Sequence, residues 1–526
     1  MGGALIRALL RRQERWVLAA VGVVLVCVVA LPLGAPLLSL GSSGGSLSRA
    51  FRDLTNHARL WILLWRSTWL SSAVTVASLC AGVPLGLVLG RTDVVGRRAL
   101  ALALALPVSL PPFLLVLGWY YIAGRSGWLG SERGSAWLFS DAGVIAVLSL
   151  AFLPVVVALS ALGVRGIDAS IEEAARVAAG PRRTLVWILL PAIWPSIALA
   201  AVLVFAMAFS ELGVPMFLRR DVYPAAVFAR LGGVDYQPGE ALVLALPLLP
   251  VAGLLMIVER LIFRGRSFAV LGASHLSTNP LALGAWRLPA SAVCWTVAGL
   301  TGAPIVALIA KAGLRGLLAG LDYVGASLVN SLATSLIAAA SIAALAAVVG
   351  HGIARRIRGS ALLDALSMLA FLTPAAVLGT GLLAVYNRPM TGWLYQSLAI
   401  IVLGFIARYS VVGVRTMAVA VAQSSPSFEE SAGAFGARYV RRLVAIVLPM
   451  HRRALVGAAL LAFLFCFRDL ETAVLFYPPG GEPLTVKIFT LEANGPPPVV
   501  AGLAVVHAAT TLVALAIGSA WFGTKA

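Results

Sequence analysis

The sequence predicts an all-α, polytopic membrane protein of about 12 transmembrane helices in two parallel six-helix repeats. Three observations carry the prediction. The 526-residue chain is 60% hydrophobic and 12% charged, with a mean hydropathy of +0.96, where a soluble domain runs about 45–50% apolar and about 25% charged. Apolar runs of about 18 or more residues recur along its whole length. Residues of the first half also reappear in the second at a nearly constant separation.

The composition excludes a soluble enzyme, because the chain lacks the polar residues to clothe a core of this size. A membrane β-barrel needs alternating polarity, and Val17 to Leu33 and Leu242 to Val258 are apolar almost throughout. The net charge of +19 does not mark a nucleic-acid site. Its arginines are spread over seven separate loops rather than gathered in one patch, which an anionic lipid surface accounts for more simply than nucleic acid does. Cys27, Cys80, Cys294 and Cys466 lie inside apolar runs and imply no disulfide framework.

Spans are expected to begin near Trp16, Ser67, Ala99, Ala142, Val186 and Ala241, then near Pro289, Ser331, Ala361, Ser397, Val444 and Val499. The first run follows Arg7, Arg11, Arg12 and Arg15. It is read as a retained helix rather than a secretory signal, being long for a signal and needed for an even span count. The longest polar connection defines a linker at 264–288, between a first repeat at 1–263 and a second at 289–526. Arginine clusters such as Arg91, Arg97, Arg98 and Arg438, Arg441, Arg442 fall on the N-terminal side of the membrane, which places both termini in the cytoplasm.

The repeat pairs Arg91 with Arg355, Pro111 with Pro374, Ser170 with Ser427, Glu173 with Glu430 and Pro191 with Pro449, at separations of roughly 257 to 264 residues. Six spans separate equivalent points, so both halves enter the membrane the same way. A pseudo-twofold axis along the membrane normal and a pathway between the halves follow.

The strongest repeated signal lies in two cytoplasmic loops, 170–191 and 427–449. In each, a serine stands three residues before a glutamate, the spacing of a capping box that starts a short helix. Gly180 and Gly436 are placed to end those helices in the left-handed conformation. One face is expected to carry Ile171, Ala174, Ala175 and Ala178 in the first copy, and Phe428, Ala432 and Phe435 in the second. Such faces need a partner, and Phe435 alone supplies roughly 1.5–3 kcal/mol if fully buried there.

These residues resemble the EAA loop of permease subunits from binding-protein-dependent ABC importers, whose motif runs Glu-Ala-Ala, three residues, Gly, nine residues, Ile, one residue, Leu-Pro. Glu430, Ser431, Ala432, Gly436, Ile446, Leu448 and Pro449 fit it, with serine for the first alanine. Glu173, Ala174 and Ala175 match in the first copy, while Gly180 comes one residue late and Pro191 one early. The fused double-length form is similar to ferric-iron permeases, with thiamine and aminoethylphosphonate permeases as related types.

The resemblance implies a type I importer fold in the bacterial inner membrane and no cofactor. It implies two cytoplasmic ATPase subunits gripping the two loops and an extracytoplasmic solute-binding protein at the outer mouth. The chain itself is expected to be a transport subunit and no enzyme: Lys311, Lys487 and Lys525 each follow a residue other than glycine, so the Gly-Lys-Ser/Thr of a phosphate-cradling loop is absent.

Arg408 within span ten, and Glu211 and Glu471 near the outer ends of spans five and eleven, are candidates for the solute pathway or an outer gate, since ionisable groups in lipid face a cavity or a partner. Tyr120 and Tyr121 read as interfacial anchors. The five histidines show no ligand spacing, so no metal site is assigned. The competing class is a secondary transporter, which needs buried carboxylates. The acidic residues read instead as loop or span-end groups.

Overall fold

A computed structural model describes residues 2–35, 52, 58–167, 169–232, 243–263 and 281–523. The described residues form helices and connecting turns, with one isolated backbone bridge between Thr92 and Leu281. Nine helices among them are long and apolar enough to cross a membrane, and counting each of three bent helix pairs as one span gives twelve.

Spans one and two are Gln13–Ala35 and Ala58–Arg91. Span three is bent by 104° between Arg97–Ser109 and Pro112–Ala123; spans four, five and six are Asp141–Arg165, Leu185–Ser210 and Val243–Ile262. Spans seven and eight, Gly284–Val324 and Ala326–Ala354, are separated by Gly325 alone. Span nine is bent by 111° between Ser360–Leu372 and Ala375–Tyr386, span ten is Ala399–Ala422, span eleven is bent by 84° between Tyr439–Met450 and Arg452–Phe467, and span twelve is Pro497–Gly518. The expected start of span six, Ala241, and most of the 264–288 linker lie outside the described residues.

Hydropathy shows runs and not bends, and the bends have local causes. Leu110 precedes Pro111 and is extended, at φ −119° and ψ 146°, as a residue before proline prefers. Pro111 and Pro374, both near ψ 145°, cap the helix that follows each bend. Span seven kinks at Gly313, whose φ is 54°.

Span two packs most closely on span four, where Gly82, Gly86 and Gly90 recur every fourth residue against Val156, Ser160 and Val164. Span one and the first part of span seven cross over, while span seven beyond Gly313 packs on span twelve, Gly316 against Pro498 and Gly320 against Gly502. Span one sits on the C-terminal half: Cys27 accepts a hydrogen bond from the Tyr386 hydroxyl at 3.0 Å, and Glu14 pairs with Arg442 at 2.7 Å. The first part of span seven sits on the N-terminal half, its Trp295 indole donating to the Val95 carbonyl at 3.1 Å. Trp65, Leu102, Ile309 and Ile517 are among the large apolar side chains left on the outside, where acyl chains are their solvent.

Candidate functional site

The sequence-predicted residues fall in two places, a cavity inside the bundle and two elbows at one end of it. The cavity occupies about 40 Å³, room for about three waters. Pro111, Pro112 and Phe371 bring the bends of spans three and nine to its wall, Arg408 and Tyr409 enter from span ten, and the ends of spans five and eleven supply Glu211, Arg468, Asp469 and Glu471.

Those two ends are built alike. Span five stops at Ser210, and the Glu211 carboxylate turns back to accept the amides of Gly213 at 3.1 Å and Val214 at 3.3 Å, capping the short helix Gly213–Phe217. Span eleven stops at Phe467, and Asp469 accepts the Thr472 amide at 2.6 Å ahead of the short helix Ala473–Phe476. In both, an acid is spent on orphan amides at a helix start.

Arg408 ties the two ends together. One guanidinium nitrogen donates to Asp469 and to the Thr472 hydroxyl, both at 3.1 Å, and the other donates to Ser210 at 2.9 Å and to Glu471. The Tyr409 hydroxyl also donates to Asp469. Arg468 gives one hydrogen bond to the Val108 carbonyl at 3.3 Å and otherwise borders the cavity. Three carboxylates and two guanidinium groups, each at most 8% exposed, thus share one space. Glu211, Arg408 and Glu471 were readable as isolated charges; Ser210, Arg468, Asp469 and Thr472 were not singled out. The signal was present, because Glu211 and Asp469 stand at the same separation as Pro191 and Pro449.

The acids described as loop or span-end groups do sit at span ends, but the structure buries many of them. Glu211, Glu259, Asp364, Glu429, Asp469 and Glu471 are all buried, and arginines face five of them directly. A charged pair is tolerated at membrane depth where a lone charge is not.

The elbows join span four to five and span ten to eleven. The first is the helix Ala169–Thr184, interrupted at Gly180, whose φ is 76°. The second is Ser427–Ala434, which ends in paired hydrogen bonds from Gly436 to the Gly433 carbonyl and from Ala437 to the Ala432 carbonyl, both 3.0 Å. That is a Schellman ending, and Gly436 takes its left-handed residue at φ 81°. After each elbow the chain makes a π turn, over Leu185–Leu189 and Leu443–Val447, just before Pro191 and Pro449. A proline has no amide to return to the preceding turn, which loosens the ladder there.

The capping box is corrected. Pro426 occupies the N-cap of the second elbow and Ser427 lies in its first turn. The Ser427 amide donates to the Ser425 hydroxyl at 3.3 Å, and Glu430 turns outward. The side chains of Ser170, Ile171 and Glu172 lie outside the described residues. The predicted faces are only partly open: Phe428 and Phe435 are exposed, Phe435 by 94%, and so are Glu173, Ala174 and Ala178, whereas Ala175 is buried and Ala432 half-buried. Val177, which the spacing did not single out, is 91% exposed.

Glu429, one residue before the motif glutamate, anchors the second elbow. Its carboxylate meets the His351 ring at 2.6 Å and accepts from Nη2 and Nε of Arg355 at 2.8 and 2.9 Å, while Arg355 also reaches Ser424. Burial pushes the Glu429 carboxyl up, but the bonds from His351 and Arg355 outweigh it and hold the group below the usual carboxylate range.

No family model matches the chain. It is similar to the ferric transport system permease protein FbpB of Actinobacillus pleuropneumoniae, 23% identical over 469 residues that cover 82% of this chain and 66% of that one. The probable ABC transporter permease protein y4fN of Sinorhizobium fredii is 22% identical over 496 residues, 87% of this chain and 86% of the relative. The molybdenum transport system permease protein ModB of Escherichia coli K12 is 31% identical over 160 residues, 28% of this chain and 69% of the relative.

Proposed function

Because this chain belongs to the permease subunits of ABC importers, we propose that it forms the solute pathway of a ferric-iron importer of the bacterial inner membrane, with both termini in the cytoplasm. The reach of the FbpB likeness, over 82% of the chain, carries the iron reading. The higher identity to the molybdenum permease is confined to 28% of it. Two six-span repeats, 1–263 and 289–526 around a linker at 264–288, form the halves. The recurrence of a sharp bend in spans three and nine and of a π turn before Pro191 and Pro449 supports that division.

Two copies of a cytoplasmic ATPase grip the elbows, Glu173, Ala174, Ala175, Gly180 and Pro191 in the first and Glu430, Ala432, Phe435, Gly436 and Pro449 in the second. An extracytoplasmic binding protein loads the outer mouth. ATP-driven closure of the ATPases pulls the elbows, the halves rock, and the cavity at Glu211, Arg408 and Glu471 changes the side on which it opens. The charged groups meet solute only after the Arg408 network rearranges.

The test is ATP-dependent uptake by proteoliposomes holding the chain, its ATPase and its binding protein, with ferric iron, molybdate, thiamine and aminoethylphosphonate supplied in turn. Iron accumulation is expected. Uptake of another solute without iron overturns the substrate assignment, and purification of the chain with no ATPase bound overturns the coupling.

A further inference from the structure

Arg408 has a counterpart two turns along the same helix. Arg415 follows it by seven residues, about 10 Å of rise on nearly the same face of span ten. It too is held by carboxylates. Its guanidinium meets Glu259 of span six at 2.7 Å and Asp364 of span nine at 3.2 and 3.4 Å. Arg260 closes the group, 2.9 Å from Asp364 and 3.7 Å from Glu259. The result is a ring of alternating charge, Glu259, Arg415, Asp364 and Arg260. Glu259 is fully buried, Asp364 is 6% exposed, and Arg260 at the rim is 41% exposed.

The ring's position matters more than its strength. Two members come from span six and two from spans nine and ten, so it crosses from the N-terminal to the C-terminal part of the chain. All four lie toward the ends of their spans that face the elbows, while the cavity lies at the level of Arg408. The ring thus ties span six to spans nine and ten on the elbow side of Arg408. It is neutral as a whole, but burying four charges costs desolvation, and separating the halves lets entering water solvate the two opposed pairs and recover that cost.

We propose that Glu259, Arg415, Asp364 and Arg260 form the inner gate of the pathway, a ring that stays closed while the cavity is sealed and parts when the halves rock to release solute. This rests on the permease reading above. Arg408 and Arg415 then work at two levels of one helix, so tilting span ten strains the two groups in turn. In this role the four residues position the halves and do not bind solute.

The experiment needs neither solute nor ATPase. Cys27, Cys80, Cys294 and Cys466 are replaced by alanine or serine, and Ala206, which lines the cavity, is changed to cysteine. Inside-out vesicles are treated with a membrane-impermeant maleimide. The parent should label slowly, Glu259→Gln and Arg415→Gln at least tenfold faster, and Glu259→Asp close to the parent. Arg260→Gln, at the exposed rim and least able to unfold the bundle, should label a few-fold faster, which covers the case in which the buried variants fail to fold. Equal labelling in Arg260→Gln and in every correctly folded variant overturns the gate. Failure of the unmodified complex to take up any solute, with labelling as expected, would instead overturn the permease reading and leave the ring as a seal of the cavity without a part in transport.

Discussion

Ser210, the last residue of span five, donates a 2.8 Å hydrogen bond to the Glu471 carboxylate beyond the end of span eleven, 261 residues away in the chain. The same hydroxyl accepts from Arg408 at 2.9 Å and from the Ala375 amide at 3.1 Å. One small side chain of the N-terminal half thus joins three partners of the C-terminal half, two of them charged.

Arg408→Gln should be the most damaging single change at the cavity. It leaves Asp469 and Glu471 buried without their direct cation, and breaking a buried pair from one side costs about 3–5 kcal/mol. Ser210→Ala removes only hydrogen bonds to charged groups, about 1.5–3 kcal/mol. Thermal unfolding in detergent should rank Arg408→Gln well below Ser210→Ala and both below the parent; an Arg408→Gln midpoint equal to the parent's would show that the network is not structural.

Phe435→Ala should weaken capture of the ATPase without touching the fold. The ring is 94% exposed, so the free chain gains nothing from it. Burial in a partner's groove is worth about 1.5–3 kcal/mol, or roughly 10- to 150-fold in affinity. Titration of the ATPase against the reconstituted chain should show that loss beside an unchanged thermal midpoint.

Gly436→Ala tests the lever. No atom lies within 4 Å of a Cβ built there, so sterics outside the residue are silent and only the left-handed backbone at φ 81° resists, by about 1–2 kcal/mol. The elbow should fray at its Schellman end, and ATP hydrolysis should run on with uptake reduced. Glu430→Ala, at an outward-facing position, should uncouple in the same way with the bundle intact. Uptake that survives both changes would remove these elbows from the coupling path.

Much of this was legible because the relevant physics is one-dimensional. Hydropathy marks the long apolar runs, since each span must bury about 20 residues in lipid, and Gly180 and Gly436 announce helix ends by side-chain absence alone. The cavity was half legible. Arg408 stands out as a charge in an apolar run, but Asp469 and Arg468 lie at a span end, where charges are ordinary, and only the fold turns them inward. Glu429 was passed over for Glu430 because a motif marks residue type, whereas burial depends on the helix's rotation against His351. The capping box failed because Pro426 suits the start of a helix as well as Ser427 does, and the serine moved one position inward.

The anchor of the second elbow should be acid-labile. Because the folded Glu429 carboxyl titrates below its unfolded value, near 4.3, its stabilisation is fully present above that value and is lost as the pH falls through the lower folded one. A spin label at the exposed Ala434 should stay restricted from neutral pH down to about 5 and loosen below about 4. In Glu429→Gln the label should be mobile throughout, with no acid transition; an identical transition in that variant would assign it to another group.

The contact between spans two and four makes the sharpest packing prediction. At Gly86 a Cβ would lie 2.5 Å from the Ser160 Cβ and 2.8 Å from the Val157 carbonyl oxygen. Neither neighbour is the end of a flexible side chain, so Gly86→Ala must push two backbones apart, an overpacking cost of about 1–3 kcal/mol. Gly299, exposed on span seven, has nothing within 4 Å. There the same substitution gains helix propensity of up to about 1 kcal/mol. Thermal midpoints should therefore move in opposite directions, down for Gly86→Ala and level or up for Gly299→Ala. A neutral Gly86→Ala would mean that spans two and four sit further apart than the glycine stripe requires.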